Sequence, residues 1–295
     1  MNTSACASSV RTVLIVSCLA FFVTTTSEAT TWYVKADPSH SGNGTKNRPF
    51  STLQEAEGAS LPGDTILILQ SKDPLDGGIQ LKDGQSLIGL GPSVTRANPN
   101  SARAMITNTN RLRYDGDAIR LAKNNLVQNI HIDNANRSSI LGINAVGAQL
   151  RDNLMTNDMA VHDIFAIEGP APSKCGANAT TPPTFTCVGE WPNGYIPFAP
   201  QTNHFGAITL ISCGPGSRSP VTNGDVRSQG YCKFLDPGAS SVPNTGQVVI
   251  DGNVIRDSNS DGIMVIDDLG VVGNFAITHN VVKDLSQGGI FLFNG

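Results

Sequence analysis

One unit written twice constrains this chain more than any other feature. Val248-Val-Ile-Asp-Gly-Asn-Val-Ile-Arg-Asp257, followed by Ser258-Asn-Ser-Asp-Gly-Ile-Met-Val-Ile-Asp267, recurs 27 residues later over residues 275–294. Asn253 falls on Asn280, Arg256 on Lys283, Asp257 on Asp284 and Gly262 on Gly289. Short β-branched runs between Asn, Asp and Gly corners read as strands and turns, and a period of this length is one coil of a solenoid. Residues 126–133 align with 250–257, and residues 150–157 repeat the pattern, so Asn is expected to recur at Asn129, Asn153, Asn253 and Asn280. Equivalent positions on adjacent coils stand roughly 4.8 Å apart, near enough for corner amides to bond to each other in a ladder.

The N-terminal stretch has a different character. Arg11, the apolar run from Thr12 to Val23 and the small residues around Ser27-Glu-Ala29 form a secretory signal pattern with cleavage expected after Ala29. A dozen apolar residues are too few for a membrane span, which needs about 20. A single domain is expected over residues 30–295, secreted, with no membrane partner and monomeric. Asn43, Asn136 and Asn178 each open an acceptor tripeptide for glycosylation.

Of the 6 Cys, Cys6 and Cys18 leave with the signal, which leaves Cys175, Cys187, Cys213 and Cys232. An even number in a secreted chain favours disulfides. Three pairings are open, and Cys175 with Cys187 and Cys213 with Cys232 is preferred because each pair clips one Pro/Gly-rich insertion. Those insertions run over about 168–204 and 213–246. Trp191 and Tyr195 lie in the first and are candidates for stacking on sugar rings. A net charge of -4 gives no basic footprint for a phosphate backbone, so nucleic acid is not an expected partner.

The first part of the mature chain reads as strand, loop, short helix and strand: Trp32–Asp37, a Gly/Pro/Asn loop, residues 50–58 and residues 61–68. Ser51 or Thr52 can cap the helix, and Glu55 is spaced as the far end of a capping box. Trp32-Tyr-Val, Gly44-Thr45, Pro49-Phe50, Ser51-Thr-Leu-Gln54, Ala56 and Pro62-Gly-Asp-Thr-Ile66 resemble the N-terminal cap and first coil of the pectate lyase-like superfamily. Gly84-Gln-Ser-Leu-Ile-Gly-Leu-Gly91 is similar to an early coil of the same proteins. The resemblance implies an all-β fold, a right-handed parallel β-helix with a short N-terminal capping helix. Because the last residues stop in mid-coil, the chain is expected to be truncated at its C-terminal end.

Such folds host lyases, hydrolases and non-catalytic solenoids alike. In lyases of the superfamily Ca²⁺ neutralises an acidic sugar carboxylate while an Arg or Lys removes the C5 proton. Asp257 and Asp284, equivalent on adjacent coils, would repel each other, which favours either a shared proton or a bound cation, with calcium the natural candidate; the resemblance makes the adjacent Arg256 and Lys283 the expected bases. Asn259-Ser-Asp-Gly-Ile263 resembles a polygalacturonase signature and adds Asp261 as a candidate acid, although that family's later motifs are absent. The expected function is that of a secreted carbohydrate-active protein acting on an acidic polysaccharide, as a Ca²⁺-assisted lyase. The alternative is a non-catalytic carbohydrate-binding or structural surface solenoid.

Overall fold

A computed structural model describes residues 28–37, 42–91, 104–109, 113–158, 206–212, 247–259, 261–267, 275–286 and 288–294. The expected signal up to residue 27, the four mature Cys residues, Trp191 and Tyr195 lie outside the described residues. The chain opens with strand β1 (Thr31–Val34) and helix α1 (Leu53–Ala59). It then runs through β2 (Thr65–Ile68), β3 (Leu75–Asp76), β4 (Ile79–Gln80), β5 (Ser86–Gly89), β6 (Met105–Asn108) and β7 (Ile119–Leu121). β8 (Leu126–Gln128), β9 (His131–Ala135), β10 (Ile140–Ile143), β11 (Gln149–Arg151), β12 (Leu154–Thr156) and β13 (Gly206–Ser212) follow. The described chain closes with β14 (Val248–Asp251), β15 (Val254–Ser258), β16 (Asp261–Asp267), β17 (Phe275–Thr278), β18 (Val281–Leu285) and β19 (Ile290–Asn294).

These strands sort into three parallel sheets. The first has the order β1-β2-β5-β8-β11-β14-β17, the second β3-β6-β9-β12-β15-β18 and the third β4-β7-β10-β13-β16-β19. From β2 onward the chain visits first, second and third sheet in turn, so each winding adds one strand to each sheet. The fold is a parallel solenoid, almost without helix among the described residues. Its core is built from ladders. Ile66, Leu87, Val127, Leu150 and Ile250 stack in register along the first sheet. Ile106, Ile132, Met155 and Ile255 do so along the second, and Ile79, Ile119, Ile140, Ile208 and Ile263 along the third. All are fully buried, which stabilises the stack by roughly 1.5–3 kcal/mol for each side chain.

Strands this short hold register only if the corners do. At the corner between the first and second sheets the Asn153 amide donates to Asn253 Oδ1 at 3.0 Å, and the Asn253 amide to Asn280 Oδ1 at 3.0 Å. Asn129 is not part of this ladder, contrary to the sequence alignment. Gln128 pairs with Arg151 and Arg151 with Asp251, so Ile130, not Asn129, is the equivalent of Asn153 and Asn253. Asn129 occupies the preceding corner position with Asp152, Gly252 and His279, all at positive φ (57°, 54°, 70° and 53°). Two neighbouring corner positions both favour Asn, one for its amide and one for its tolerance of left-handed backbone, and text alignment joins the wrong two.

Helix α1 begins at Thr52, whose side chain accepts from the Glu55 N–H while Glu55 accepts from the Thr52 N–H, a complete capping box. Leu53 and Ala56 are buried, and the helix packs against β1 and β4. Glu57 ties it to the first and second windings, accepting from the Gln80 N–H at 3.1 Å, from Arg113 at 2.8 Å and from the Tyr114 hydroxyl.

Windings differ in the length of chain between their second and third sheets. Ala135 and Ser138 frame residues 136–137 in the third winding, and Ser258 and Asp261 frame residues 259–260 in the fifth. At the same corner of the fourth winding, between Asp158 and Gly206, stand residues 159–205. Register is nevertheless kept across the gap, with Leu150 beside Ile250 and Ile208 beside Ile263.

Candidate functional site

Ile132, Met155 and Ile255 of the second sheet point into the core, so alternation turns their neighbours to the other face of the sheet, where Leu154, Thr156 and Val254 are nevertheless buried and Lys283 is exposed. One outward row is in register across four successive windings: Asp133 beside Thr156, Thr156 beside Arg256, and Arg256 beside Lys283. The repeat thus brings Arg256 and Lys283 together, side by side on the outside of the solenoid. Each faces its own following acid as well. Arg256 lies 3.7 Å from Asp257 and Lys283 3.4 Å from Asp284.

Asp257 and Asp284 stand on adjacent windings at a corner, both with left-handed backbone (φ 56° and 54°), where Asn134 and Asn157 occupy the equivalent places (φ 56° and 55°). Short polar side chains tolerate that conformation, which accounts for the residue type without any ligand. Their side chains are about half exposed, 49% and 61%. Two carboxylates supply only part of the six to eight oxygens that Ca²⁺ takes, so the rest would have to come from water or from a ligand. Among the described residues no group of three or more His, Cys, Asp or Glu side chains is placed to hold a metal.

Asp261 lies apart from that row. It is buried at the start of β16, and its Oδ1 accepts from the Gly288 N–H of the next winding at 2.7 Å. Its immediate work is therefore to pin one coil to the next.

The structure adds residues that the sequence did not single out. His131 Nε2 lies 2.7 Å from Thr156 Oγ1, Thr156 donates to Asp133 Oδ1 at 2.6 Å, and the Asn157 amide donates to the same oxygen at 2.8 Å. Since the Thr156 hydroxyl spends its hydrogen on Asp133, His131 Nε2 is the donor in the first contact. These residues were missed because the one-residue slip at Asn129 placed Asp133 on Asp257 instead of on Arg256. Beside them Asp158 is fully buried, with Oδ1 accepting from Ser139 at 2.6 Å. Burial pushes its carboxyl up to about 7, and the Asp133 carboxylate adds to the rise while Ser139 and the Ala135 N–H oppose it.

Two further polar clusters are structural in form. Asp117, fully buried, receives Arg137 through Nε at 2.7 Å and through a second nitrogen, and Arg120 at 2.8 Å. Asp251 accepts from the Thr278 hydroxyl at 2.7 Å and from His279 at 2.8 Å, and these contacts hold its carboxyl below the usual range. Among the described residues no helix is long and apolar enough to cross a membrane.

No family model and no curated protein matches the chain. Among solved structures a rhamnogalacturonan lyase is similar at a TM-score of 0.42 and 11% identity, over 90% of this chain and 63% of that one. The GH136 lacto-N-biosidase from Eubacterium ramulus is similar at a TM-score of 0.35 and 13% identity, over 80% of this chain and 43% of that one. The chain therefore spans less than two thirds of the length of each.

Proposed function

We propose that this is a secreted carbohydrate-active β-helix protein that engages an acidic polysaccharide on the outer face of its second sheet. The observation that carries the reading is the in-register pair Arg256 and Lys283, two outward cations one winding apart. Sugar carboxylates spaced along a polymer can meet such a pair in succession. The Asp257 and Asp284 partners do not close the site to a ligand, because exposed ion pairs hold together by only about 0–1 kcal/mol. Ca²⁺ shared between those two carboxylates and a uronate would join the polymer to the same corner. In the lyase form of the reading a base takes the C5 proton, the C4–C5 double bond forms and the C4–O4 bond breaks, the departing oxygen being protonated from water.

The finer fold belongs to the same reading. The solenoid is right-handed, as parallel crossovers are in nearly all cases, and α1 covers its N-terminal end, since Leu53 and Ala56 join the core there. The signal segment and the disulfides among Cys175, Cys187, Cys213 and Cys232 fit a secreted chain. Trp191 and Tyr195 extend the proposed contact to sugar rings, and Asp261 serves as a pin between coils unless its removal alters turnover.

A binding role without turnover is the second reading, and a specific feature favours it: each cation already has an acid at ion-pair distance, an arrangement suited to holding a carboxylate rather than to accepting a proton. One experiment separates the two. Uronan polymers are incubated with the full chain, with and without Ca²⁺, and followed by the absorbance of unsaturated product and by retardation in affinity gels. Product lost in Arg256→Ala with Lys283→Ala supports the lyase, and retardation without product supports the binder. If no acidic polysaccharide is bound or cut, both readings fall.

A further inference from the structure

The acceptor tripeptides at Asn43 and Asn136 fall among the described residues, that at Asn178 outside them, and the fold treats the first two differently. Asn43-Gly-Thr45 lies in a loop on the outer edge of β1, the end strand of the first sheet. The Tyr33 N–H donates to Gly44 O at 2.8 Å, the Asn43 N–H to Arg48 O at 3.0 Å and the Arg48 N–H to Thr45 O at 3.1 Å. Gly44 is buried with φ 78°, and a Cβ there would stand 2.4 Å from the Phe50 ring and 2.6 Å from the Trp32 ring.

On either side of that glycine Asn43 and Thr45 are exposed, and they bond to each other. Asn43 Oδ1 accepts from the Thr45 hydroxyl at 2.8 Å and from the Thr45 N–H at 3.4 Å. A backbone N–H can only donate, so the side-chain atom facing it is the oxygen, and the amide nitrogen takes part in neither bond. Both bonds draw electron density from the amide, which makes its N–H more acidic. Asn136-Arg-Ser138 is built the other way. Arg137 and Ser138 are buried, Arg137 against Asp117 and Ser138 with its hydroxyl on Thr209 of the next winding at 3.2 Å. The Asn136 amide nitrogen donates to Thr109 O at 3.3 Å, a contact with which a sugar on that nitrogen would compete.

We propose that the folded, secreted molecule carries an N-linked oligosaccharide on Asn43 and none on Asn136. The inference rests on the secreted reading above, because the sugar donor, a lipid-diphosphate-linked oligosaccharide, is met on the secretory route. In the transfer Asn43 Nδ2 bonds to the anomeric carbon of the sugar and the bond from that carbon to the diphosphate oxygen breaks. One amide proton passes to a base, and the lipid diphosphate leaves. From its loop the oligosaccharide stands at the β1 end of the solenoid, windings away from Arg256 and Lys283, and its bulk hinders association through that sheet edge.

Expression of the full chain in a eukaryotic secretory host tests this. The tryptic peptides 36–46 and 124–137, which hold Asn43 and Asn136, are read by mass spectrometry in the secreted fraction. Prior treatment with an endoglycosidase that leaves one N-acetylhexosamine on Asn keeps the mark distinct from deamidation at Asn43-Gly44. Peptide 36–46 is expected to carry the mark and peptide 124–137 to lack it. Thr45→Val should lose the sugar and Thr45→Ser keep it, and both variants should still be secreted, which separates loss of the sugar from loss of the fold. A secreted parent with a bare Asn43, or with sugar on Asn136, overturns the inference and leaves the secreted reading standing. A chain that never enters the secretory route overturns that reading and the inference with it.

Discussion

Asp158 sets how the stability of this solenoid depends on pH. An unfolded aspartate ionises near 3.8, whereas the buried carboxyl does so only at about 7, so between those values the unfolded chain gives up a proton that the folded chain keeps. Stability contributed by the protonated group is therefore complete below about pH 4, falls as pH rises toward 7, and stays at its lower level above. The difference is on the order of 4 kcal/mol. Melting temperature measured from pH 4 to pH 8 should decline in the parent, and Asp158→Asn should remove most of that decline. A parallel decline in the variant would move the cause to other groups. The corner amides carry a second effect at the same scale. Asn253→Ala leaves both the N–H and the amide of Asn153 without their acceptor in a fully buried place, at roughly 1–3 kcal/mol for each orphaned group. Asn280→Ala removes the same acceptor from Asn253 in the last, more exposed winding, and denaturant titration should find it the milder of the two.

The strands and corners show what a sequence reader can and cannot see. The 27-residue unit was legible because residues 248–294 contain two uninterrupted windings, and the register of Arg256 with Lys283 follows from it directly. Helix α1 was legible from Thr52 and Glu55, although the choice between Ser51 and Thr52 as the cap needed the side-chain geometry. The row containing Asp133 was not legible. Asn129 and Asn153 look equivalent in text, and only the pairing of Gln128 with Arg151 shows that they occupy adjacent corner positions. Because side chains alternate across a strand, a slip of one residue turns a whole row to the wrong face. The corner acids give this scale its own test. Ligand that binds only the folded state raises stability by mass action, so millimolar Ca²⁺ should raise the melting temperature if Asp257 and Asp284 hold it. Asp257→Asn with Asp284→Asn should abolish the rise; an unchanged response in the double variant would assign these residues to backbone conformation alone.

Across the whole molecule each winding touches chiefly the one before and the one after, so stability approximates a sum of neighbour contacts along a line. A core residue in the middle of a ladder should then matter more than its counterpart in the last described winding. Ile140→Ala, fully buried between Ile119 and Ile208, should cost about 2–5 kcal/mol in denaturant unfolding. Ile290→Ala, at a position 51% exposed, should cost less than about 1 kcal/mol. Equal losses at the two sites would mean that the last winding is packed as tightly as the middle.

The winding that contains residues 159–205 and 213–246 keeps its strands in register with both neighbours. The strand pairings of that winding join described strands to one another, so they set no fixed length for the two segments. An engineer has that freedom: a foreign peptide spliced between Asp158 and Gly206 would be displayed from a frame whose pairing is already closed on either side, and selection for new specificity could act on it alone.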